Sequence, residues 1–184
     1  MLKATATPYA TYFEGAQFVH FLLGPATVCL ALPLWDNLPR VRKAALPLLA
    51  ALLAGSVTAI ASALAIARSF GISGEILASL APKSTTAPVA IGISQAIGGS
   101  PTLTAVMVIL TGITGAVVAT PLLNLLRIKD WRARGFATGV AAHGIGTARA
   151  FQVHPTAGAF AGLGMGLNAV LTAIIAPMLL RLFQ

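Results

Sequence analysis

Long apolar runs separated by short polar stretches make up most of this chain. Four of the runs are long enough to cross a bilayer, because about 20 apolar residues of helix span its hydrocarbon core. They cover about residues 16–35, 44–67, 101–126 and 156–183. Gly24-Pro25 lies within the first run and predicts a kink, since proline removes a backbone donor. The pattern therefore predicts four membrane-spanning helices.

Two further apolar segments, residues 75–99 and 135–153, are each broken in the middle. The first is interrupted by the run from Pro82 to Pro88, and the second by the run from His143 to Gly146. Each half of the first segment has about eleven residues, or roughly 16 Å of helix, which is half a bilayer. Each segment therefore either crosses the membrane as an unwound helix or enters and returns as a re-entrant hairpin.

The basic loops favour the hairpins. Residues 36–43 and 127–134 are both strongly basic, and such loops are expected on the cytoplasmic side. They fall on the same side only if segment 75–99 returns to the side from which it enters. We therefore expect the first hairpin to enter from outside and the second to enter from the cytoplasm.

A broken segment followed by a span occurs twice, and the two copies share short matches. Paired positions are Thr86-Ala87 with Thr147-Ala148, Pro101-Thr102 with Pro155-Thr156, Gly112 with Gly166, and Pro121-Leu122-Leu123 with Pro177-Met178-Leu179. Inverted repeats whose broken helices meet at mid-membrane are typical of secondary transporters. The matches are short and gapped, so chance similarity is the alternative interpretation.

The composition agrees with a membrane protein. Of the 184 residues, 57% are hydrophobic and only 9% are charged, against about 25% charged in a soluble domain. We predict an all-α, polytopic protein in which residues 1–184 form a single membrane domain. The net charge of +8 lies mainly in loops beside apolar runs, with no basic face carrying interleaved aromatics, so nucleic acid is not an expected partner. With Cys29 as the sole cysteine, we expect no intrachain disulfide and no thiolate zinc site.

The first break is a candidate anion site. Lys83, Ser84, Thr85 and Thr86 stand where the second half-helix would begin. The first N–H groups of a helix lack intrahelical partners and favour an anion. Lys83 adds positive charge and the three hydroxyls add donors. The alternative is an ordinary helix cap with a lysine that reaches the membrane interface.

The second break carries a different set of polar groups. Gly144 and Gly146 permit positive φ and close backbone approach, and Arg149 can hold a carboxylate through two parallel hydrogen bonds. His143 can move a proton, since imidazole titrates near neutrality. Thr147 adds a hydroxyl. The alternatives are a helix break with a satisfied histidine and an arginine that reaches the headgroups.

The last span carries Gly158, Gly162 and Gly166 on one face, a spacing that lets helix backbones approach closely. We interpret this face as a packing surface, either within the chain or against a partner. Asn168 on the same span either points inward or makes an interhelical hydrogen bond.

Nothing in the sequence indicates an enzyme or a bound cofactor or metal. The four acidic residues lie outside the spans or at their ends, and no paired carboxylates, His-x-x-x-His or Gly-x-Ser-x-Gly patterns occur. The same scarcity of acids disfavours sodium coupling. Proton transfer through His143, or simple facilitated movement, fits better.

Three runs resemble the LrgB/CidB family: His20 to Thr27, Ser79 to Ser84, and Ala142 to Arg149. The resemblance covers nearly the whole chain. It implies a bacterial inner-membrane protein whose relatives include antiholin-like modulators of murein hydrolase activity, a plastid glycolate/glycerate translocator and members implicated in pyruvate uptake. Members usually carry about two more apolar segments upstream of the position matching Tyr12, so we expect a chain that is truncated or starts at an internal methionine.

The resemblance and the two cationic breaks together predict a transporter of small monocarboxylates. Lys83 and Arg149 would hold the carboxylate, the hydroxyl groups would bond its oxygens, and His143 would exchange a proton. The alternative is an antiholin-like regulator that acts with a small LrgA/CidA-like partner, and a passive pore is a third reading. A homodimer is expected only by analogy.

Overall fold

The structure, a computed structural model, describes residues 37–183 and three single positions before them, Gly15, Phe21 and Trp35. Apart from these positions, the predicted span 16–35 and its Gly24-Pro25 kink lie outside the described residues. Residues 37–183 contain helices and no strand, so the predicted all-α class is confirmed. The helices are α1 (Leu38–Lys43), α2 (Ala45–Ser69), α3 (Gly74–Leu80), α4 (Ala87–Ala96), α5 (Pro101–Leu125), α6 (Trp131–Val153) and α7 (Pro155–Arg181).

Three of these helices are long and apolar enough to cross a membrane. They are α2, α5 and α7, with 25, 25 and 27 residues. At 1.5 Å per residue each is about 40 Å long, which exceeds the roughly 30 Å of the hydrocarbon core. Their bounds agree to within two residues with the apolar runs 44–67, 101–126 and 156–183.

The segment between α2 and α5 folds back on itself. Helices α3 and α4 are joined by a turn over residues 81–86, and we call the whole unit the first hairpin and this turn the first tip. The backbone N–H of Ser100 donates to Ser79 Oγ at 2.7 Å, and Thr104 Oγ1 donates to the Ser79 carbonyl at 3.1 Å. A straight path would separate these residues by the length of α4, about 15 Å. The chain therefore returns to its starting point.

Helix α6 is a second hairpin rather than one rod. Ala142 has φ −127° and His143 has φ +43° and ψ −135°, so the helix is interrupted there, and we call these two residues the second tip. The rings of Trp131 and His154, which lie at the two ends of α6, stack with centroids 4.8 Å apart. A straight helix of 23 residues would hold them about 35 Å apart. The outbound arm (131–141) and the return arm (144–153) are therefore antiparallel.

Both arms of the second hairpin pack along α7. Gly135 and Gly139 of the outbound arm lie directly against the backbone of Ala157 and Ala161. The buried ring of Phe160 joins a cluster with Leu52, Phe136 and Val140, whereas a second cluster joins α2, the first hairpin and the end of α7. α7 is thus the central helix of the described fold.

The hairpins begin at opposite ends of α5. The first hairpin leads directly into α5 at Pro101, and the second follows its other end through residues 126–130. The His143 ring reaches Val108 and Gly112 near the middle of α5. The fold thus has the opposed arrangement that the sequence predicted, while a true inverted repeat stays a prediction.

Candidate functional site

Several polar groups of the first tip form hydrogen bonds within the turn itself or to the end of α3. Its turns are closed by Lys83 N–H to the Leu80 carbonyl and Thr85 N–H to the Pro82 carbonyl. Thr85 is fully buried and its hydroxyl also donates to the Pro82 carbonyl, at 3.0 Å. Thr86 is extended and immediately precedes α4, as expected for a residue at a helix start. The tip therefore places Lys83 close to the N-terminus of α4.

Lys83 is the cation of the first tip. Its side chain is half-buried, and its ammonium group donates to Ser84 Oγ at 3.2 Å. Between residues 37 and 183 the one ion pair is Arg132 with Asp130, so Lys83 has no carboxylate partner there. An ammonium group has three donors. Two donor positions of Lys83 therefore remain for water or a ligand.

His143 forms the centre of the second tip. The ring is 3% exposed, and Nε2 lies 2.9 Å from the Val108 carbonyl oxygen. A carbonyl can only accept, so Nε2 carries the hydrogen and donates it. Gly112 makes room for the ring, since a methyl group there would lie 2.7 Å from His143 Cε1.

The backbone at the second tip departs from expectation. We expected Gly144 and Gly146 to supply the positive φ, but His143 does so instead. Gly146 serves the close approach of the two arms, because a methyl group there would lie 2.6 Å from Ala142 Cβ and 3.0 Å from the Thr138 carbonyl oxygen. Gly144 is less confined, because the nearest atom to an added methyl group would be Met165 Sδ, at 3.8 Å. The Thr147 hydroxyl donates to the His143 carbonyl at 2.8 Å and so closes the first turn of the return arm.

Asn168 of α7 joins the two tips. Its amide nitrogen donates to the Ser84 carbonyl of the first tip and to the Val140 carbonyl beside the second tip, both at 3.1 Å. Its Oδ1 accepts from Ser56 Oγ at 2.6 Å and from Thr172 Oγ1 at 3.3 Å. The side chain is 1% exposed. Asn168 thus points inward and also makes interhelical hydrogen bonds, so both interpretations considered for it are found, and the two breaks meet at this residue.

Arg149 does not lie at either tip. It is six residues beyond His143 on the return arm, about 9 Å along the helix axis, because every residue after the turn leads away from the tip. Its side chain is exposed and donates to Gln152 Oε1 at 3.2 Å. It lines a small crevice with buried Arg134, whose Nη1 donates to the Ile128 carbonyl at 2.9 Å. The structure brings Lys83 to the Asn168 junction but does not bring Arg149 there.

The glycine face of α7 is only partly covered. Gly158 lies against the Phe151 ring with no room for a methyl group, whereas Gly162 and Gly166 have no atom within 4 Å of where one would sit. The tight helix contact is made instead by Gly135 and Gly139, which were not predicted from the sequence. Packing of Gly162 and Gly166 against a partner stays a prediction.

A large cavity of about 670 Å³ lies between α2 and the outbound arm and extends to Val140 and Ala141 beside the second tip. Its walls are mostly apolar, and its charged lining residues are Lys43, Asp130 and Arg132 at one end. Its size alone does not make it a polar binding site, because the groups that suit an anion are at the junction. Within the described ranges, no group of three or more His, Cys, Asp or Glu residues is placed to hold a metal ion.

The comparisons place the chain among known proteins. The sequence profile of the LrgB-like family matches residues 1–182. The chain is 37% identical over 180 residues to the uncharacterized protein YwbG of Bacillus subtilis, covering 98% of the chain and 80% of YwbG. It is 33% identical over 183 residues to the holin-like protein CidB of Staphylococcus epidermidis, covering 100% of the chain and 80% of that protein. No solved structure matches. The family match over nearly the whole length, together with the long apolar helices, shows that this chain is a membrane protein that belongs to the LrgB-like family.

Proposed function

We propose that this protein moves small monocarboxylates of the glycolate, glycerate and pyruvate class across the bacterial cytoplasmic membrane as a multi-pass transporter. The observation that supports the proposal most is the junction at Asn168, which places a tip carrying Lys83 beside a tip carrying His143. A charged group inside a membrane costs about 2.5–3.5 kcal/mol on insertion scales and usually marks a functional site. An anionic ligand would give Lys83 the charge partner that residues 37–183 do not provide.

In this proposal the first tip binds the carboxylate. The two unused donor positions of Lys83 and the Ser84 hydroxyl face one carboxylate, and the N-terminus of α4 adds its partial positive charge. Thr86 is the candidate for donating a hydrogen bond to the α-oxygen, whereas the Thr147 hydroxyl already donates to the His143 carbonyl. Thr85 has a different task, because its hydroxyl donates to the Pro82 carbonyl and holds the shape of the tip.

His143 is the proposed proton carrier. Its Nε2–H donates to the Val108 carbonyl, so Nδ1 is the ring atom that would take up a proton. A proton taken up with the anion would offset its charge during passage. Arg149 acts at a different stage in this scheme, since with Arg134 it lines a crevice near the base of the second hairpin, where it would attract anions.

Uptake of labelled glycolate or pyruvate into liposomes tests the proposal. Wild-type protein should show saturable uptake, and Lys83→Met should lower it strongly, whereas Lys129→Met, which removes an exposed lysine of the basic loop, should not. Saturation also argues against a passive pore. Uptake that survives Lys83→Ala combined with Arg149→Ala would remove both residues from the mechanism. Wild-type liposomes that take up none of glycolate, glycerate or pyruvate would overturn the function itself.

The second candidate is an antiholin-like regulator acting with a small LrgA/CidA-like membrane protein. The name of the staphylococcal relatives, holin-like protein CidB, bears more directly on this candidate than on carboxylate transport. The open positions Gly162 and Gly166 would form the contact surface. Co-purification with the small partner should then be lost in Gly162→Leu with Gly166→Leu, but kept in Val117→Leu, which alters an exposed position on α5. Self-association of the chain at this face, without the partner, would favour a homodimer instead.

A further inference from the structure

The Asn168 side chain uses all of its hydrogen-bonding capacity on other parts of the fold. A primary amide has two donors and two acceptor sites. The amide N–H groups of Asn168 donate to the Ser84 and Val140 carbonyls. Its Oδ1 accepts from the hydroxyls of Ser56 of α2 and Thr172 of α7. Of these four bonds, only the one to Thr172 is local. The other three bonds connect α2, the first hairpin and the second hairpin to the middle of α7.

The two carbonyls that accept from Asn168 have no intrahelical partner, because each lies at a helix break. In an unbroken helix the Val140 carbonyl would accept from the N–H of residue 144, but the non-helical backbone at Ala142 and His143 diverts the chain before that point. Ser84 lies in the turn before α4, outside any helical ladder. Buried carbonyls without partners are costly. The Asn168 amide therefore donates to one carbonyl of each hairpin that has no partner within a helix.

We propose that Asn168 is a positioning residue that holds the first and second tips at a fixed separation, so that Lys83 and His143 act on one substrate. The proposal rests on the proposed transport function for its effect on uptake, but not for its effect on the tips. Ser56 provides the control, because it bonds Oδ1 of the same side chain and touches neither tip carbonyl through that bond. Loss of Ser56 should leave both tip bonds in place.

The distance between the tips can be measured without substrate. Spin labels would be attached at Pro88→Cys and Ala141→Cys, exposed positions beside the first and second tips, after Cys29→Ser removes the native thiol. Wild-type Asn168 and Ser56→Ala should give one narrow distance distribution. Asn168→Leu, which removes the amide, and Asn168→Asp, which keeps the shape but removes both N–H donors, should broaden or lengthen it.

Uptake kinetics provide the second measurement. In Asn168→Leu and Asn168→Asp the KM for glycolate or pyruvate should rise by about tenfold or more, as expected for two lost hydrogen bonds, while Ser56→Ala stays close to wild type. Unchanged distance distributions in both Asn168 variants would overturn the positioning role even if wild-type uptake is observed. Broadened distributions in a protein that takes up no carboxylate would support the positioning role and refute the transport function. If both Asn168 variants fail to fold while Ser56→Ala folds, Asn168 is merely structural and the proposal fails.

Discussion

Replacement of Gly139 by alanine tests the packing that aligns the second hairpin with α7. A methyl group at position 139 would overlap the Ala161 carbonyl oxygen and would lie 2.7 Å from the Ala161 carbonyl carbon and 2.8 Å from its Cα. Ordinary carbon–carbon contacts are about 3.5–4.0 Å. The clashing atoms belong to the backbone and cannot rotate away, so the outbound arm and α7 must separate by several tenths of an ångström or more.

The magnitude follows from a comparison with Gly162→Ala. Both substitutions gain the same helix propensity, about 1 kcal/mol. Gly162 has nothing within 4 Å of the added methyl group, whereas Gly139 incurs an overpacking cost of about 1–3 kcal/mol. The difference between the two variants therefore isolates the clash. We expect Gly139→Ala to be less stable than Gly162→Ala by about 1–3 kcal/mol, near the upper end because backbone atoms are involved.

Unfolding of both variants in detergent can be followed by tryptophan fluorescence. Trp131 stacks on His154 at the base of the second hairpin, so its emission reports on this unit. The sequence has two tryptophans, and Trp35→Phe leaves Trp131 as the sole reporter. Equal unfolding free energies for Gly139→Ala and Gly162→Ala would refute the close contact between the outbound arm and α7.

Further predictions concern the core, the loop before α6 and the second tip. Phe160→Ala should lower the free energy of unfolding by about 3–5 kcal/mol, because the ring is 1% exposed; a loss below about 1 kcal/mol would contradict its place in the core. The hydrogen bond from Arg132 holds the pKa of Asp130 below its ordinary value, so this pair stabilises the fold above about pH 4 and the effect fades as pH falls through the lowered pKa. Acid titration of the unfolding midpoint should show this small loss in the wild type and not in Asp130→Asn. His143→Gly should keep its stability to within about 1 kcal/mol while uptake falls by about a hundredfold, and unimpaired uptake would exclude the ring from the mechanism.

Much of the fold could be predicted from the sequence because apolar runs and helix breakers act locally. The runs fixed α2, α5 and α7, and the prolines at positions 82 and 88 fixed the first break. The basic loops added one long-range argument, since two loops expected on the same side of the membrane require a segment that returns. The hairpin fold of 75–99 followed from that argument.

The site was less predictable because it depends on contacts between distant residues. Asn168 lies 84 residues from Ser84 and 28 from Val140, and no local pattern pairs them. An amide on an otherwise apolar span was the available signal, because such groups need buried partners. Arg149 was expected beside Lys83 on the assumption that all cations of the two breaks converge. The turn at His143 comes too early for that, and the return arm carries Arg149 toward the base of the hairpin.

Under the proposed function, the strained backbone at His143 has a reason beyond folding. A non-glycine residue at φ +43° and ψ −135° costs about 1–3 kcal/mol, and a glycine could adopt the same angles freely. Gly144 directly follows, so the sequence holds a glycine one position away from where the turn needs it. The ring of His143 donates a hydrogen bond to the Val108 carbonyl, and Gly112 leaves space for it. A purely structural turn would not require these arrangements. In the proposed mechanism the ring must remain at the tip, and this requirement explains the strained backbone, the hydrogen bond to Val108 and the space at Gly112.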